Sequence, residues 1–247
     1  MADPRSPATP ARPTRVGLLA PMTHELAPLV AMLGLVARAD HPEALHDATV
    51  DGVAFVATMT GIGMQAGADA TRRVLADGVD HVIVVGIAGG IAPHLEIGAL
   101  VVPEAVLHAD AATRHVPARL GDAPVGGVIR SSDDFLTDDT ALEQLVADGV
   151  VALDMETGAV ADVCEAAGVP WSVFRSISDR PRDKLVDASV WEMTGADGSA
   201  DPEALRRYLA ADPTAAARLA RMAADMELAV HVAAEAAIRA CSVTPRG

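Results

Sequence analysis

The chain has 247 residues, of which 51% are hydrophobic and 2% aromatic, and its formal net charge is −15. This length suits a single α/β domain, and the apolar share is large enough to fill a sizeable core with aliphatic side chains. A strongly acidic surface disfavours nucleic acid and anionic membranes as partners, but it says nothing about a small ligand in a cleft. The sequence contains no apolar run of the roughly 20 residues that a membrane-spanning helix needs.

The N-terminal residues differ in composition from the rest of the chain. Residues 1–14 carry four prolines and few apolar side chains, which predicts a disordered tail ahead of one domain over residues 15–247. This segment has no apolar stretch of the secretory type, and Cys164 and Cys241 are interpreted as buried, reduced thiols, so we expect a cytoplasmic protein. The eight histidines show no ligand spacing, and neither a metal nor another cofactor is expected.

Six short apolar runs predict buried strands, because they are almost continuously apolar, as in a sheet covered on both faces. In chain order they are Val16–Ala20, Val53–Met59, Val82–Val85, Ala99–Val102, Val150–Leu153 and Trp171–Ile177. Helical patterns cover Glu25–Val36, Gln65–Ala76, Thr157–Ala167 and roughly 214–240, and Asp-Pro pairs at 201–202 and 212–213 predict two helix starts. Strands alternating with helices predict a three-layer α/β/α sandwich around a central mixed, twisted sheet.

Three acidic residues follow predicted strands, at the strand ends where the active sites of α/β folds gather. Glu25 follows the first strand, Glu156 follows the run that ends at Leu153, and Asp179 follows the run that ends at Ile177. Each has an ordinary structural explanation when taken singly, since acids favour the first turn of a helix and cap helices and turns. Their combination, together with a glycine-rich stretch at Gly86–Gly90, is what indicates a polar site.

Six collinear segments resemble motifs of the nucleoside phosphorylase/nucleosidase superfamily. They are Met22–Glu25, Thr60–Ala68, Val85–Val102, Ser131–Leu136, Ala152–Cys164 and Val173–Asp179. Within that superfamily the chain most resembles the 5′-methylthioadenosine/S-adenosylhomocysteine nucleosidases. The resemblance implies a phosphorylase-like α/β/α fold, cleavage of the N-glycosidic bond of a purine nucleoside, and a homodimer with the active site near the interface.

The resemblance also implies a role for each matching residue. Asp179 would protonate or hydrogen-bond purine N7, Glu25 would activate the attacking water, and Glu156 would bind the ribose hydroxyls. Arg175 would hold the neighbouring acids in place, and the Phe135 ring would stack on the base. The other substrate-binding positions that the resemblance implies are Met22, Ala88, Gly89, Leu136, Asp154, Met155 and Ser178.

Water is favoured over phosphate as the nucleophile. A phosphate dianion needs fixed donors, usually arginines, but Ala20–Glu25 contains no arginine, Val82–Val85 is wholly apolar and Ile87 has no hydroxyl. A phosphate-dependent purine nucleoside phosphorylase remains the alternative enzyme. A catalytically silent nucleoside-binding protein is the alternative from another class.

The 5′ substituent of the substrate stays open from the sequence. In the methylthioadenosine enzymes, part of the stretch that matches Ala109–Arg130 lines the 5′ pocket of the partner subunit with aromatics, whereas this stretch contains no Phe, Trp or Tyr. Methylthio, homocysteinyl, plain hydroxyl and a futalosine-type group are all candidates, so a futalosine-type hydrolase is a further alternative. The basic stretch Arg180–Lys184 is either a solvated loop or a lid that brings a cation to the 5′ end.

Overall fold

The computed structural model describes residues 12–40, 45–110, 112–186, 188–195 and 197–242. Most of the predicted tail over residues 1–14 therefore lies outside the described residues. Arg12 and Thr14 lie within them: the Arg12 guanidinium donates to the Cys241 carbonyl at 3.0 Å, and the Thr14 N–H donates to the Asp80 carboxylate at 2.9 Å. The division into a tail and one domain stays a prediction.

The described residues form eleven strands and seven α-helices, which alternate through most of the chain. The first half contains β1 (Arg15–Ala20), α1 (Thr23–Leu33), β2 (Val36–Ala37), β3 (His46–Val50), β4 (Val53–Met59), α2 (Met64–Ala76), β5 (His81–Gly90), β6 (Leu100–Val101), β7 (Ala105–Leu107) and β8 (Arg114–His115). The second half contains β9 (Val128–Ser131), α3 (Asp139–Ala147), β10 (Val150–Asp154), α4 (Thr157–Ala167), β11 (Trp171–Asp179), a short 3-10 helix (Pro181–Asp183), α5 (Ala188–Glu192), α6 (Pro202–Ala211) and α7 (Ala215–Ala240).

The strands form one mixed sheet in the order β2-β3-β4-β1-β5-β10-β9-β7-β8, and β11 pairs with both β5 and β6. Strand β5 lies at the centre of the sheet and pairs with three other strands. Strands β1 and β11 run parallel to it, and β10 pairs antiparallel with its C-terminal end. The carboxyl ends of β1, β5 and β11 therefore lie at one edge of the sheet. Strand β10 is antiparallel to β5, and its last residues pair with the last residues of β5. The residues after Asp154 therefore lie at the same edge.

Helices cover both faces of the sheet, which confirms the predicted three layers. On one face Leu18 and Phe55 belong to a buried cluster with residues of α1 and α7, while on the other face Leu19 and Val56 belong to a cluster with residues of α2 and α4. Neighbouring residues of one strand thus serve opposite faces, and this explains why the strand sequences are almost continuously apolar. Both cysteines are buried and free, as expected.

The boundaries of several elements differ from the predictions for local reasons. Helix α1 ends at Leu33 and not at Val36, because Gly34 takes the left-handed conformation with φ 66°. Strand β5 continues through the glycine-rich stretch to Gly90. Asp201 caps α6 as predicted, but α7 begins at Ala215, after the second Asp-Pro pair. No helix of the described residues is long and apolar enough to cross a membrane.

Candidate active site

A cavity of about 480 Å³ lies at the edge of the sheet where β1, β5 and β11 end. All but one of the site residues expected from the sequence line this cavity. They are Met22, Glu25, Ala88, Gly89, Phe135, Leu136, Asp154, Met155, Glu156, Ser178 and Asp179. The exception is Arg175, which is fully buried and does not line the cavity but contacts three of these acids.

Arg175 is the centre of a buried charge network under the cavity. Its guanidinium contacts Asp154 at 2.8 Å and Glu156 at 2.9 Å, and it lies 3.5 Å from Glu25. An arginine keeps its proton even when buried, so one fixed positive charge faces three carboxyls. The network cannot carry three ionised carboxylates without excess negative charge, and this favours a proton on one of them.

Glu25 is held by two backbone donors, one from the N-cap residue of α1 and one from β5. Its Oε2 accepts from the Met22 N–H at 2.8 Å and its Oε1 accepts from the Ile87 N–H at 2.8 Å. The residue is only 1% exposed. Burial raises the pKa of Glu25 to about 8, although Arg175 acts in the opposite direction. A fixed carboxyl with a pKa near neutrality is suited to accept a proton during a reaction.

Glu156 occupies the N-cap position of α4, but its side chain does not cap that helix. Its Oε1 accepts from the Gly63 N–H at 3.1 Å, and its Oε2 accepts from Arg175. Burial raises the pKa of Glu156 to about 7. Asp154 provides the contact to the first turn instead, since it accepts from the Thr157 hydroxyl. The hydrogen bonds from Gly63 and Arg175, and not capping of α4, therefore orient the Glu156 side chain.

The start of helix α2 is already occupied by carboxylates. The Gly63 N–H donates to Glu156, and the Met64 N–H donates to Asp133 at 2.7 Å. A helix N-terminus is otherwise a natural place for a phosphate, because its N–H groups lack partners within the helix. These two donors are consequently unavailable to an anionic ligand.

Asp179 ends β11 and lines the cavity from the other side of β5. The Ser178 hydroxyl donates to its carboxyl at 2.7 Å. Burial raises the pKa of Asp179 above its ordinary range, and the neighbouring Asp183 adds to this effect. A raised pKa favours the protonated carboxyl, which can donate its proton to a ligand.

Phe135 lies in the cavity lining with one face already covered by another ring. It is stacked on Trp191 of α5, with 5.2 Å between the ring centroids and 2° between the ring planes. Trp191 was not among the expected site residues, although it is one of only two tryptophans in the chain. The two rings together form an aromatic side of the cavity.

The family of this protein follows from comparison with known sequences. The profile of the phosphorylase superfamily matches residues 15–126 and 109–226. The chain belongs to this superfamily. It is 30% identical over 199 residues to a 5′-methylthioadenosine/S-adenosylhomocysteine nucleosidase of Actinobacillus succinogenes, covering 67% of this chain and 85% of the relative. A nucleosidase of the same name from Shewanella halifaxensis is 28% identical over 215 residues, covering 70% and 90%.

Solved structures of superfamily members share the fold. A mutant of the Helicobacter pylori methylthioadenosine nucleosidase, with 5′-methylthioadenosine in its active site, superposes with a TM-score of 0.68 at 21% identity, covering 93% of this chain and 98% of the other. Futalosine hydrolase from the same species gives a TM-score of 0.67 at 20% identity, covering 93% and 97%. These matches confirm the phosphorylase-like α/β/α fold.

Part of the cavity wall comes from the C-terminal helices, which sequence patterns did not assign to the site. The lining residues of α5, α6 and α7 are Val190, Trp191, Leu205, Leu219, Met222, Ala223 and Met226, and Met193 directly follows α5. The four from α7 follow the i, i+3, i+4, i+7 spacing of one helix face. That spacing is visible in the sequence, but it is equally typical of a helix that packs on the core.

In the basic stretch after Asp179, Pro181 lines the cavity, whereas Arg180 and Arg182 do not. Arg180 pairs with Glu96 and Asp183, and Arg182 donates to the carbonyls of Pro93 and Leu95. These contacts tie both guanidinium groups to the loop at residues 93–96. They favour the interpretation as a structured surface loop over a lid that brings a cation to the ligand.

Gly86 provides the space for the carboxyl of Glu25. Its φ is 152°, and a Cβ at this position would lie 2.0 Å from Glu25 Oε1. We expect Gly86→Ala to displace the carboxyl and lower kcat by about 100-fold, since displacements near 1 Å have effects of that order. Steady-state kinetics and the thermal midpoint measure this. Gly126→Ala is the control, because its Cβ would meet no atom within 4 Å. Equal kcat in both variants would contradict the expectation.

Proposed function

We propose that this protein hydrolyses the N-glycosidic bond of a purine nucleoside and releases the free base and a ribose derivative. The observation that carries the proposal is one cavity in which Glu25, in the first turn of α1, and Asp179, at the end of β11, both have raised pKa values. Hydrolysis of this bond needs one group that accepts a proton from water and another that gives a proton to the leaving base. The nucleosidase relatives support the same activity.

The reaction follows from the chemistry of the bond. As the bond between C1′ and the base breaks, its electron pair goes to the base and the sugar becomes oxocarbenium-like. Asp179 donates a proton to N7, which makes the base a better leaving group. Glu25 accepts a proton from water while the water oxygen bonds to C1′, and Glu156 accepts hydrogen bonds from the ribose hydroxyls. The negative charge of the carboxylates also stabilises the positive charge on the sugar.

The occupied donors favour water over phosphate as the nucleophile. The N–H groups of Met22 and Ile87 donate to Glu25, and the guanidinium of Arg175 faces acids. Among the described residues that line the cavity, none is a lysine or an arginine. A phosphate dianion in this cavity would have to compete with these carboxyl groups for every nearby donor.

The decisive experiment is release of free base from a panel of nucleosides, with and without phosphate. The panel contains methylthioadenosine, adenosylhomocysteine, adenosine, inosine and futalosine. Release in phosphate-free buffer, with free ribose derivative as the second product, is the expected result. Release only with phosphate would make the protein a phosphorylase, and binding without release would make it a silent nucleoside-binding protein.

The pH dependence of kcat/KM tests Glu25 as the proton acceptor. Only the ionised form can accept a proton, and the pKa of about 8 means that the ionised fraction falls tenfold per pH unit below that value. We expect kcat/KM to rise from pH 6 toward pH 8 as Glu25 ionises, and to fall at the pH where Asp179 loses the proton that it must donate. Initial rates at low substrate concentration, over pH 5.5–9.5, measure the profile. A flat profile from pH 6 to pH 8 would remove Glu25 from this role.

We also propose a cytoplasmic homodimer. The resemblance to homodimeric nucleosidases supports the dimer, and the buried free thiols of Cys164 and Cys241 suit a reducing compartment. Light scattering after size exclusion tests the assembly, with an expected mass of twice the 25.3 kDa of the chain.

A further inference from the structure

The loop that follows β9 lines the cavity with most of its first residues. They are Ser132, Asp134, Phe135 and Leu136. We call residues 132–136 the cavity loop. Its remaining residue, Asp133, does not line the cavity but is directed to the start of helix α2, where its Oδ1 accepts from the Met64 N–H at 2.7 Å. Asp133 therefore connects the cavity loop to a neighbouring helix.

The turn of α2 that binds Asp133 also binds Glu156. The Gly63 N–H, one residue before Met64, donates to Glu156 Oε1 at 3.1 Å. Gly63 has a φ of 110°, which residues with side chains rarely adopt, and a Cβ on it would lie 3.1 Å from Asp133 Oδ1. Glycine at this position therefore allows two consecutive N–H groups to bind carboxyl groups from two separate segments. The cavity loop and Glu156 are placed against the same turn.

Other contacts of the cavity loop do not reach α2. The Ser132 N–H donates to the Asp154 carbonyl at 3.0 Å, and Arg130 donates to the Ser132 hydroxyl at 3.0 Å. Arg130 also pairs with Asp134 at 3.6 Å, but the Asp134 side chain is 67% exposed, and exposed ion pairs contribute little. At 2.7 Å, the hydrogen bond that Asp133 accepts is the shortest of these contacts, and it is the one that joins the loop to the helix.

Loss of the Asp133 carboxylate would affect both segments that meet at this turn. An acidic side chain at a helix N-terminus accepts a backbone N–H and is favoured by the helix dipole. Without it, the Met64 N–H would lose its acceptor and would attract the Glu156 carboxyl, which is bound to the adjacent N–H. Glu156 also pairs with Arg175 at 2.9 Å, so this shift would stretch the ion pair that now orients it.

Because one turn of α2 binds both segments, we infer that Asp133 is a positioning residue that holds the cavity loop and Glu156 in fixed relation to each other. This inference rests on the proposed function, in which Phe135 stacks on the base and Glu156 binds the ribose. The hydrogen bonds and ion pairs of the described residues do not join Asp133 to Glu25 or to Asp179. Asp133 should therefore govern binding of the nucleoside and not the chemical step.

The experiment compares full-length Asp133→Ala with the wild type in hydrolysis of methylthioadenosine and in calorimetric binding of adenine. Loss of a helix cap of this kind corresponds to about a 5- to 30-fold change in an equilibrium constant. We expect KM for methylthioadenosine and Kd for adenine each to rise about tenfold, while kcat changes less than about threefold. The thermal midpoint shows whether the variant is folded.

Two further variants separate positioning from a general loss of stability. Asp133→Asn keeps an oxygen that can accept the Met64 N–H, and asparagine caps helices about as well as aspartate, so KM and Kd should stay within about threefold of the wild type. Asp69→Ala is the matched control on the same helix. Asp69 is exposed, accepts hydrogen bonds from Gln65 and Arg72, and does not line the cavity. Its KM and Kd should not change.

The outcomes that would overturn the inference differ from those that would overturn the proposed function. A lower thermal midpoint of Asp133→Ala with unchanged KM and Kd would make Asp133 merely structural. Equal losses in Asp133→Asn and Asp133→Ala, or a larger effect on kcat than on KM, would also overturn the positioning role. If the wild type hydrolyses no nucleoside but binds adenine, the proposed function fails and the adenine measurements still decide the inference. A wild type that neither hydrolyses a nucleoside nor binds adenine would overturn both.

Discussion

The Glu25→Gln variant is expected to lose kcat by about 10²–10⁴-fold, the usual contribution of a positioned general base. Glutamine has nearly the same shape as glutamate, but its amide cannot accept the proton of the attacking water. Its NH₂ group would also face one of the two N–H donors, from Met22 or Ile87, that now bind the carboxyl. Binding of nucleoside should persist, because the base and ribose contacts involve other residues.

Single-turnover kinetics and calorimetric binding of a nucleoside separate these two effects. Glu143→Gln is the matched control, since this glutamate is exposed on α3 and does not line the cavity. A folded Glu25→Gln protein with unchanged kcat would exclude Glu25 as the base. Loss of binding together with kcat would instead indicate a structural role.

The Glu25→Gln variant should also change how the free energy of unfolding depends on pH. The pKa of Glu25 is raised from 4.5 to about 8, so the folded state favours the neutral carboxyl. The contribution of Glu25 to the free energy of unfolding is therefore fully present below pH 4.5 and is lost as pH rises through 8. Glutamine does not ionise, so the free energy of unfolding should fall less from pH 5 to pH 9 in the variant than in the wild type. Denaturant titrations at both pH values measure the difference.

The sequence predicted the elements that carry the site better than their mutual contacts. Apolar runs located β1, β5, β10 and β11, and the motifs placed Glu25 shortly after β1 and Asp179 at the end of β11. The contact between Glu25 and Ile87 joins residues 62 positions apart, and no local pattern encodes it. The raised pKa of Glu25 could not be predicted either, since it depends on burial that only the assembled layers produce.

The parts of the fold that sequence patterns missed are short or ambiguous. Strands β2 and β8 have two residues each, too few for a periodic signal. Helix α7 was predicted, but its stripe from Leu219 to Met226 indicates only an apolar face and not whether that face meets the core or a cavity. Only the packing of the C-terminal helices decides this, and there the stripe meets the cavity.

The Asp179→Asn variant is expected to lose kcat by about 10²-fold or more on an unmodified purine nucleoside, because an amide cannot transfer a proton to N7. The Ser178 hydroxyl that now donates to the carboxyl at 2.7 Å can still donate to the amide oxygen of asparagine, so the fold should be little changed. Rates on methylthioadenosine measure the loss. Asp148→Asn, an exposed position outside the cavity lining, is the control.

A second substrate distinguishes proton donation from simple positioning by Asp179. A 7-methylpurine nucleoside already carries a positive charge in its imidazole ring, so its base can leave without a proton at N7. If Asp179 is the acid, the variant should lose less than about tenfold on this substrate while it loses about 10²-fold or more on the unmethylated one. Equal losses on both would mean that Asp179 orients the base, and a loss below tenfold on both would remove it from the mechanism. Because the leaving base needs the proton only when N7 is uncharged, the ratio of the two losses reports the proton transfer itself.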